Sequence, residues 1–358
     1  MPQFGGKLQR QRLAAEPCSG TFGQGAEWGK RMAGAQPILI TPEFLLPYPA
    51  PVSDYRCVVN ADATAAIVER TTFTATGSAG PQLCLLDLTK AGAEPTFLLP
   101  GIDVSTRPDW SWATGRIAFN YTSSVMVGVL QAPGQAATLF GPSTTQMNYP
   151  TWFPDGTVLA TEDDNGSPSP NTTTIDASTG AIIQTALEGK GYCGGMPSVN
   201  PVSPKLIAFA GQAVSGSTYN EDKNYVYVMD TSGSDGPVPL ESGALGTGSF
   251  NPDYQGRAPW WSPDGKWVVF ESNRPSQYEA NGLYALYLYQ YGGSNPAIQI
   301  TSTIFNCNHA KWFPTGFAGG PSGPVQLIVA SWLGSQSSPP TGPYGLSALD
   351  LTPLGITF

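Results

Sequence analysis

The sequence predicts an all-β fold, a six-bladed β-propeller of four-stranded antiparallel blades closed by an N-terminal strand that completes the last blade. Three observations carry that expectation. A motif centred on a tight turn recurs six times, the segments after each copy follow one order, and the composition favours turns over helices. The 358 residues include 42 Gly and 34 Pro but only 12% charged side chains, which suits many short strands and leaves little material for solvent-facing helices. No amphipathic helical period stands out.

In chain order, residues 1–35 match no blade and read as a flexible N-terminal extension, while residues 36–358 read as a single propeller. The stretch "PILITPEFLLPYPAPVSDYRCVV" (37–59) has the layout of outer strand, loop and inner strand that separates successive blades, so "PILIT" is expected to be the outermost strand of blade six. Its partners would come from the C-terminus, including "GLSALDL" (345–351). The first motif copy, "YRCVVNADATAAIVER" (55–70), is the most divergent and turns on Asn60 and Asp62. The second, "TRPDWSWATGRIAFNY" (106–121), carries Pro108, Trp110 and Gly115, and the third, "NYPTWFPDGTVLATED" (148–163), carries Trp152, Pro154, Asp155 and Gly156. The fourth, "GMPSVNPVSPKLIAFA" (195–210), is worn.

The fifth copy, "RAPWWSPDGKWVVFES" (257–272), is the sharpest. Pro263 presets φ at the first corner of its turn, Gly265 accepts a positive φ at the end, and Trp267 to Phe270 read as a buried strand. The sixth, "NHAKWFPTG" (308–316), resumes after a glycine-rich insertion as "VQLIVASW". Inner strands are thus expected to start near 56, 107, 149, 196, 258 and 309, spaced by about 42 to 62 residues. A blade follows each start, ending in strands such as "LYALYLYQ" (283–290) and "AIQITS" (297–302). Each blade covers its neighbour's apolar face, and the ring leaves few free edges.

The Trp-Ser-Pro-Asp-Gly turn, the apolar "WVVF", the "SNR" at 272–274 and the later "LYLY" resemble the repeats of TolB-like six-bladed propellers over roughly residues 36–358. That resemblance is informative about fold and open about function. Such repeats are found in periplasmic TolB, in the gating domains of prolyl oligopeptidases and in oligogalacturonate lyases.

Charge and chemistry narrow the field. A net charge of -9 with 17 Lys and Arg spread along the chain argues against nucleic-acid binding, and no stretch has the roughly 20 apolar residues of a membrane span. A single histidine, His309, rules out HExxH and His-rich metal cages, no G-x-S-x-G elbow is present, and "EGKGYCGG" (188–195) lacks Walker spacing. No metal or cofactor is expected. The acidic loop "EDDNGSPSPN" (162–171) lacks calcium-motif spacing and reads as an inter-strand loop. Five cysteines, Cys18, Cys57, Cys84, Cys193 and Cys307, include no CxxC pair; Cys57 and Cys84 fall on non-adjacent strands, while a Cys193 to Cys307 pairing stays open. Glycosylation-type triplets at Asn120, Asn165 and Asn171 are weak evidence for secretion. A periplasmic or extracellular location is expected, although no signal peptide is visible in the chain.

The working surface of a propeller is the mouth of its channel. Aligned on the turn, the repeats bring Tyr55 and Arg56, Thr106 and Arg107, Asn148 and Tyr149, Gly195 and Met196, Arg257 and Ala258, and Asn308 and His309 to that rim. Arg56, Arg107, Tyr149, Arg257 and His309 are therefore the candidate ligand-binding residues, because guanidinium groups clasp carboxylates bidentately. The competing assignment pairs these arginines with Asp54, Asp103, Asp109 and Asp253. Trp110, Trp152, Trp261 and Trp312 share one repeat position and are assigned to packing between blades.

The functional expectation is a non-catalytic binding or scaffold module that engages a protein, a peptide or an anionic ligand such as an acidic carbohydrate at the funnel. One alternative is a polysaccharide-active lyase or hydrolase using Tyr149, Arg107 and His309. Another is a structural subunit of a larger assembly that buries apolar loops such as "FGPSTTQMNYP" (140–150) against a neighbour.

Overall fold

A computed structural model describes residues 38–45, 52–90, 93–122, 126–141, 144, 146–214, 219–245, 254–274, 283–314, 326–332 and 344–356. The N-terminal extension expected at 1–35 lies outside the described residues. Six separate four-stranded antiparallel sheets form the blades. Blade one is β2 (Val52–Val59), β3 (Ala65–Thr74), β4 (Gly77–Asp87) and β5 (Thr96–Phe97). Blade two is β6 (Ser105–Trp110), β7 (Ile117–Tyr121), β8 (Met126–Leu130) and β9 (Ala137–Leu139), and blade three is β10 (Met147–Trp152), β11 (Val158–Asp163), β12 (Asn171–Asp176) and β13 (Ile182–Thr185). Blade four is β14 (Tyr192–Val199), β15 (Leu206–Ala213), β16 (Tyr225–Asp230) and β17 (Val238–Pro239). Blade five is β18 (Gly256–Trp261), β19 (Trp267–Ser272), β20 (Ala285–Gln290) and β21 (Ile298–Gln299). Blade six takes β22 (Asn308–Trp312), β23 (Gln326–Trp332) and β24 (Tyr344–Asp350) from the C-terminus and β1 (Glu43–Phe44) from the N-terminal side.

The closing strand is displaced from its expected place. Glu43 pairs with Ala348 and Phe44 with Ser347, so the clasp is β1 and not "PILIT". The apolar run instead seals a seam, since Ile40 donates its N–H to Ile300 O in blade five and is buried in the cluster between blades five and six.

Why the turn is built from Ser-Pro-Asp-Gly becomes visible in blade five. The Ser262 hydroxyl donates to Asp264 Oδ1 at 2.6 Å and accepts the Trp267 N–H at 2.9 Å, so two side chains close the turn locally. Gly265 sits at φ +69°, and a Cβ there would lie 2.6 Å from Asn200 Oδ1 of blade four. That close approach lets Asn200 Nδ2 donate to Gly265 O at 2.9 Å. Blade two grips blade three in the same way, through Arg116 to Gly156 O at 3.2 Å. The motif is a turn and an inter-blade catch at once.

Apolar packing runs around the ring. The repeated tryptophans lie in four different seams: Trp110 between blades one and two, Trp152 between two and three, Trp261 between four and five, and Trp312 between five and six. The seam between blades three and four holds Ala160, Val199 and Ile207 and a second cluster in which Ala186 and Leu187 pack on Phe209 and Tyr225, with Thr172 donating to Gly194 O at 3.2 Å. The "SNR" arginine also clips blades. Arg274 binds the fully buried Glu241 at 2.8 Å, inside a box of Tyr225, Tyr254, Phe270 and Tyr287.

Several smaller expectations are resolved as well. Cys57, Cys84, Cys193 and Cys307 are buried free thiols, with Cys193 on β14 and Cys307 directly before β22. Asn120 and Asn171 are buried, so neither presents an amide for glycosylation. In the loop at 140–150, Phe140 and Met147 already pack in the seam between blades two and three.

Candidate functional site

Each innermost strand carries a β-bulge at the same point, where two residues face one on the second strand. In five blades the first bulged residue has φ near +50°, namely Arg107, Tyr149, Met196, Ala258 and His309. This conformation is uncommon for residues with a side chain. It aims the backbone N–H at the preceding blade. Arg107 N–H donates to Glu69 Oε2 at 3.1 Å, Tyr149 N–H to Asn120 Oδ1 at 3.1 Å, Met196 N–H to Glu162 Oε2 at 2.9 Å, and His309 N–H to Glu271 Oε1.

The second bulged residue is proline in four blades: Pro108, Pro150, Pro197 and Pro259. In blade one the bulge lies between Asp54 and Cys57, so Arg56 occupies the proline place. Alignment of the repeats on the turn sets Arg56 level with Arg107, one residue out of the observed register. The three candidate arginines come from three successive places: Arg257 just before its bulge, Arg107 first in its bulge, and Arg56 second in its own.

Arg56, Arg107, Tyr149 and His309 line one funnel-shaped cavity of about 40 Å³ with Met196 and Lys311; Arg257 stands outside this lining, against Tyr284. Two of the arginines are neutralised, though not by the aspartates expected. Arg56 binds Glu69 at 2.9 Å and donates to the Tyr149 hydroxyl at 3.4 Å. Arg257 binds Glu271 at 2.8 Å and donates to Asn308 Oδ1 at 3.0 Å. Asp54 is instead engaged twice by Arg70, Asp109 accepts the Trp152 N–H, and Asp253 lies outside the described residues.

Arg107 differs. Its guanidinium lies 4.5 Å over the Tyr149 ring, and its side chain makes no hydrogen bond or ion pair among the described residues. The acids that feel its field are Glu162 and Asp164. Burial, reinforced by the Asp164 charge, pushes the Glu162 carboxyl up to about 8, so it is largely protonated at neutral pH. Burial raises Asp164 too.

His309 is buried against Tyr55, ring edge to face at 4.8 Å. Burial and the surrounding cations, Arg56, Arg257, Lys311 and Arg107, hold its pKa well below the usual histidine range. It is a neutral imidazole in the physiological range. Among the described residues no group of three or more His, Cys, Asp or Glu side chains could hold a metal ion.

Sequence reasoning missed Glu69, Glu162 and Glu271, because they stand on second strands and act across blade seams. It also missed Lys311, which lies one residue before the recognised Trp312.

The six four-stranded sheets around this mouth define a six-bladed β-propeller. No family model matches the chain, and no curated protein matches it. Among solved structures it is similar to a putative TolB from Agrobacterium tumefaciens, at 15% identity over 79% of each chain with a TM-score of 0.48. It is also similar to TolB from Acinetobacter baumannii, at 16% identity over 84% of this chain and 63% of that one with a TM-score of 0.48. A third is an oligogalacturonate lyase in complex with manganese, at 13% identity over 87% of this chain and 96% of that one with a TM-score of 0.49. No described helix is long and apolar enough to cross a membrane.

Proposed function

We propose that the propeller is a non-catalytic binding module whose funnel receives the carboxylate of a peptide or protein partner, with Arg107 as the receiving cation. The observation that carries this reading is Arg107 itself: a guanidinium held over Tyr149 with no hydrogen-bond or ion-pair partner among the described residues, while Glu162, an acid that feels its field, is kept largely uncharged. A guanidinium in that state offers two parallel N–H donors to an incoming carboxylate. Size supports an end group over a sugar ring. The cavity of about 40 Å³ takes something close to the bulk of a carboxylate, since one water needs about 10–15 Å³ on the same measure.

The neutral state of His309 speaks against the lyase or hydrolase alternative. An imidazole whose protonated form is so disfavoured accepts a substrate proton poorly near neutral pH. A periplasmic or extracellular setting belongs to the same proposal, through the resemblance of the repeats to TolB.

The test is calorimetric titration of the full chain with N-acetyl triglutamate, with its fully amidated counterpart, and with trigalacturonate. The reading expects saturable binding of the acidic peptide, weakened about tenfold or more by amidation and by Arg107→Gln. Equal binding of the amidated peptide, binding of trigalacturonate alone, or no saturable binding by any of the three overturns it.

A further inference from the structure

Below the funnel lies a second, larger cavity of about 170 Å³. Its walls include Trp112, Trp152, Phe153, Trp260 and Trp261, and the residues that line it converge from several blades where the inner strands end. An apolar cavity of about 150 Å³ holds a benzene ring. Lys311 lines this chamber and the funnel alike, so it stands at the partition between them.

Lys311 has an unusual environment. Its Nζ rests on the face of the Trp260 indole, 2.6 Å from the ring centre, and it makes no hydrogen bond and no ion pair among the described residues. The charged and titratable groups that act on it are Asp109 on β6, Cys57 and Arg56 on β2, and His309 on its own strand. Asp109 spends one oxygen on the Trp152 N–H at 2.8 Å. In the same wall the Trp261 Nε1–H is buried and unpartnered. Burial drives the ammonium of Lys311 down to about 7, against the opposing pull of Asp109, so near neutral pH a large share of the amine carries a free lone pair.

An amine with a free lone pair at the edge of an aromatic chamber is suited to capture carbonyl carbon. We infer that Lys311 and the tryptophan chamber form a covalent binding site for small aromatic aldehydes, held as an imine on Lys311 Nζ. The lone pair of Nζ attacks the carbonyl carbon and the N–C bond forms. The carbonyl oxygen then leaves as water with the two amine protons, so Lys–NH2 and R–CHO give Lys–N=CHR and H2O with no other reactant. The indole rings would flank the aryl group. This site is independent of carboxylate binding at Arg107.

The experiment treats the full chain with benzaldehyde and sodium borohydride at pH 7 and maps benzylated lysines by peptide mass spectrometry. The sequence holds seven other lysines and an N-terminal amine as internal references. Lys311 is expected to be labelled about tenfold or more above exposed Lys90, whose contact with Asp87 raises its pKa and keeps its amine protonated. Its labelling rate should rise with a midpoint near pH 7. Glyoxylate, a charged aldehyde without a ring, should show no such preference for Lys311. Lys311→Arg should remove the dominant adduct and leave the rest unchanged, and the wild-type map decides the question even if that variant folds poorly. Labelling of Lys311 at or below the level of the surface lysines, or equal preference for glyoxylate, overturns the inference.

Discussion

The Tyr149 ring lies between two guanidinium groups, Arg107 at 4.5 Å and Arg56 at 5.6 Å from its centre, and its hydroxyl accepts a hydrogen bond from Arg56. The ring joins blade one, through Arg56, to blade two, through Arg107, from a position in blade three. Tyr149→Leu removes both cation–π contacts and the hydroxyl acceptor. It should cost about 1–3 kcal/mol of stability in urea unfolding. A change near zero would show that the ring does not bridge the arginines.

Glu162 makes stability depend on pH in a defined direction. Its carboxyl is raised to about 8 in the fold, above the ordinary value of 4.5, so the native state holds a proton that the unfolded chain has released. Its contribution is fully present below about pH 4.5 and is lost as pH rises through about 8. Glu162→Gln keeps an oxygen for the Met196 N–H and has no charge to bury. The variant should unfold at higher denaturant concentration than wild type at pH 8.5, with the difference shrinking towards pH 4.5.

The ion pair between Arg274 and Glu241 sits among four aromatic rings, with Glu241 fully buried and also accepting the Ala297 N–H at 2.7 Å. Arg274→Ala leaves that carboxylate buried without its cation, a change that costs about 3–5 kcal/mol in comparable settings. Chemical denaturation should show the loss. A smaller loss in Arg274→Ala,Glu241→Gln than in Arg274→Ala alone would locate the cost in the stranded charge.

Ring closure depends on Ile40 as well as on β1. Ile40 is 9% exposed and packs with Ile300, Leu349 and Leu351 in the seam between blades five and six. Ile40→Ala should destabilise the chain by about 2–4 kcal/mol. An unchanged unfolding midpoint would mean that the N-terminal segment does not hold the ring shut.

Much of the ring was legible because its turns impose local demands. Positive φ at Gly265 and Gly156, and the Asp-Gly corner of the third and fifth repeats, leave a signature that survives divergence. The clasp was legible as a need but not as a register. "PILIT" is a short apolar run of the kind that suits a buried strand, yet its described part serves the seam through Ile40, and only two residues further along pair with β24. The one-residue slip at Arg56 had a remedy in the sequence. Pro108 and Pro259 stand two residues before Trp110 and Trp261, and the same count back from Val58 reaches Arg56. The acids of the funnel had no such local mark. Glu69 and Glu271 each answer an arginine of their own blade, and Glu69, Glu162 and Glu271 all reach the bulge of the next blade, a contact set by how blades stack and not by the pattern along either strand.

The central claim is that Arg107 receives a carboxylate while Glu162 stays protonated beside it. The most direct measurement is the affinity of the full chain for N-acetyl triglutamate at pH 6.5 and pH 9.5, in wild type and in Glu162→Gln. The peptide keeps its charge throughout, and Lys311 at the same mouth loses its proton in wild type and variant alike, so ionisation of Glu162 near pH 8 should make the fall in affinity several-fold larger in wild type than in the variant. Affinity in wild type that is unaltered across that range, or a decline that persists undiminished in Glu162→Gln, would contradict the account.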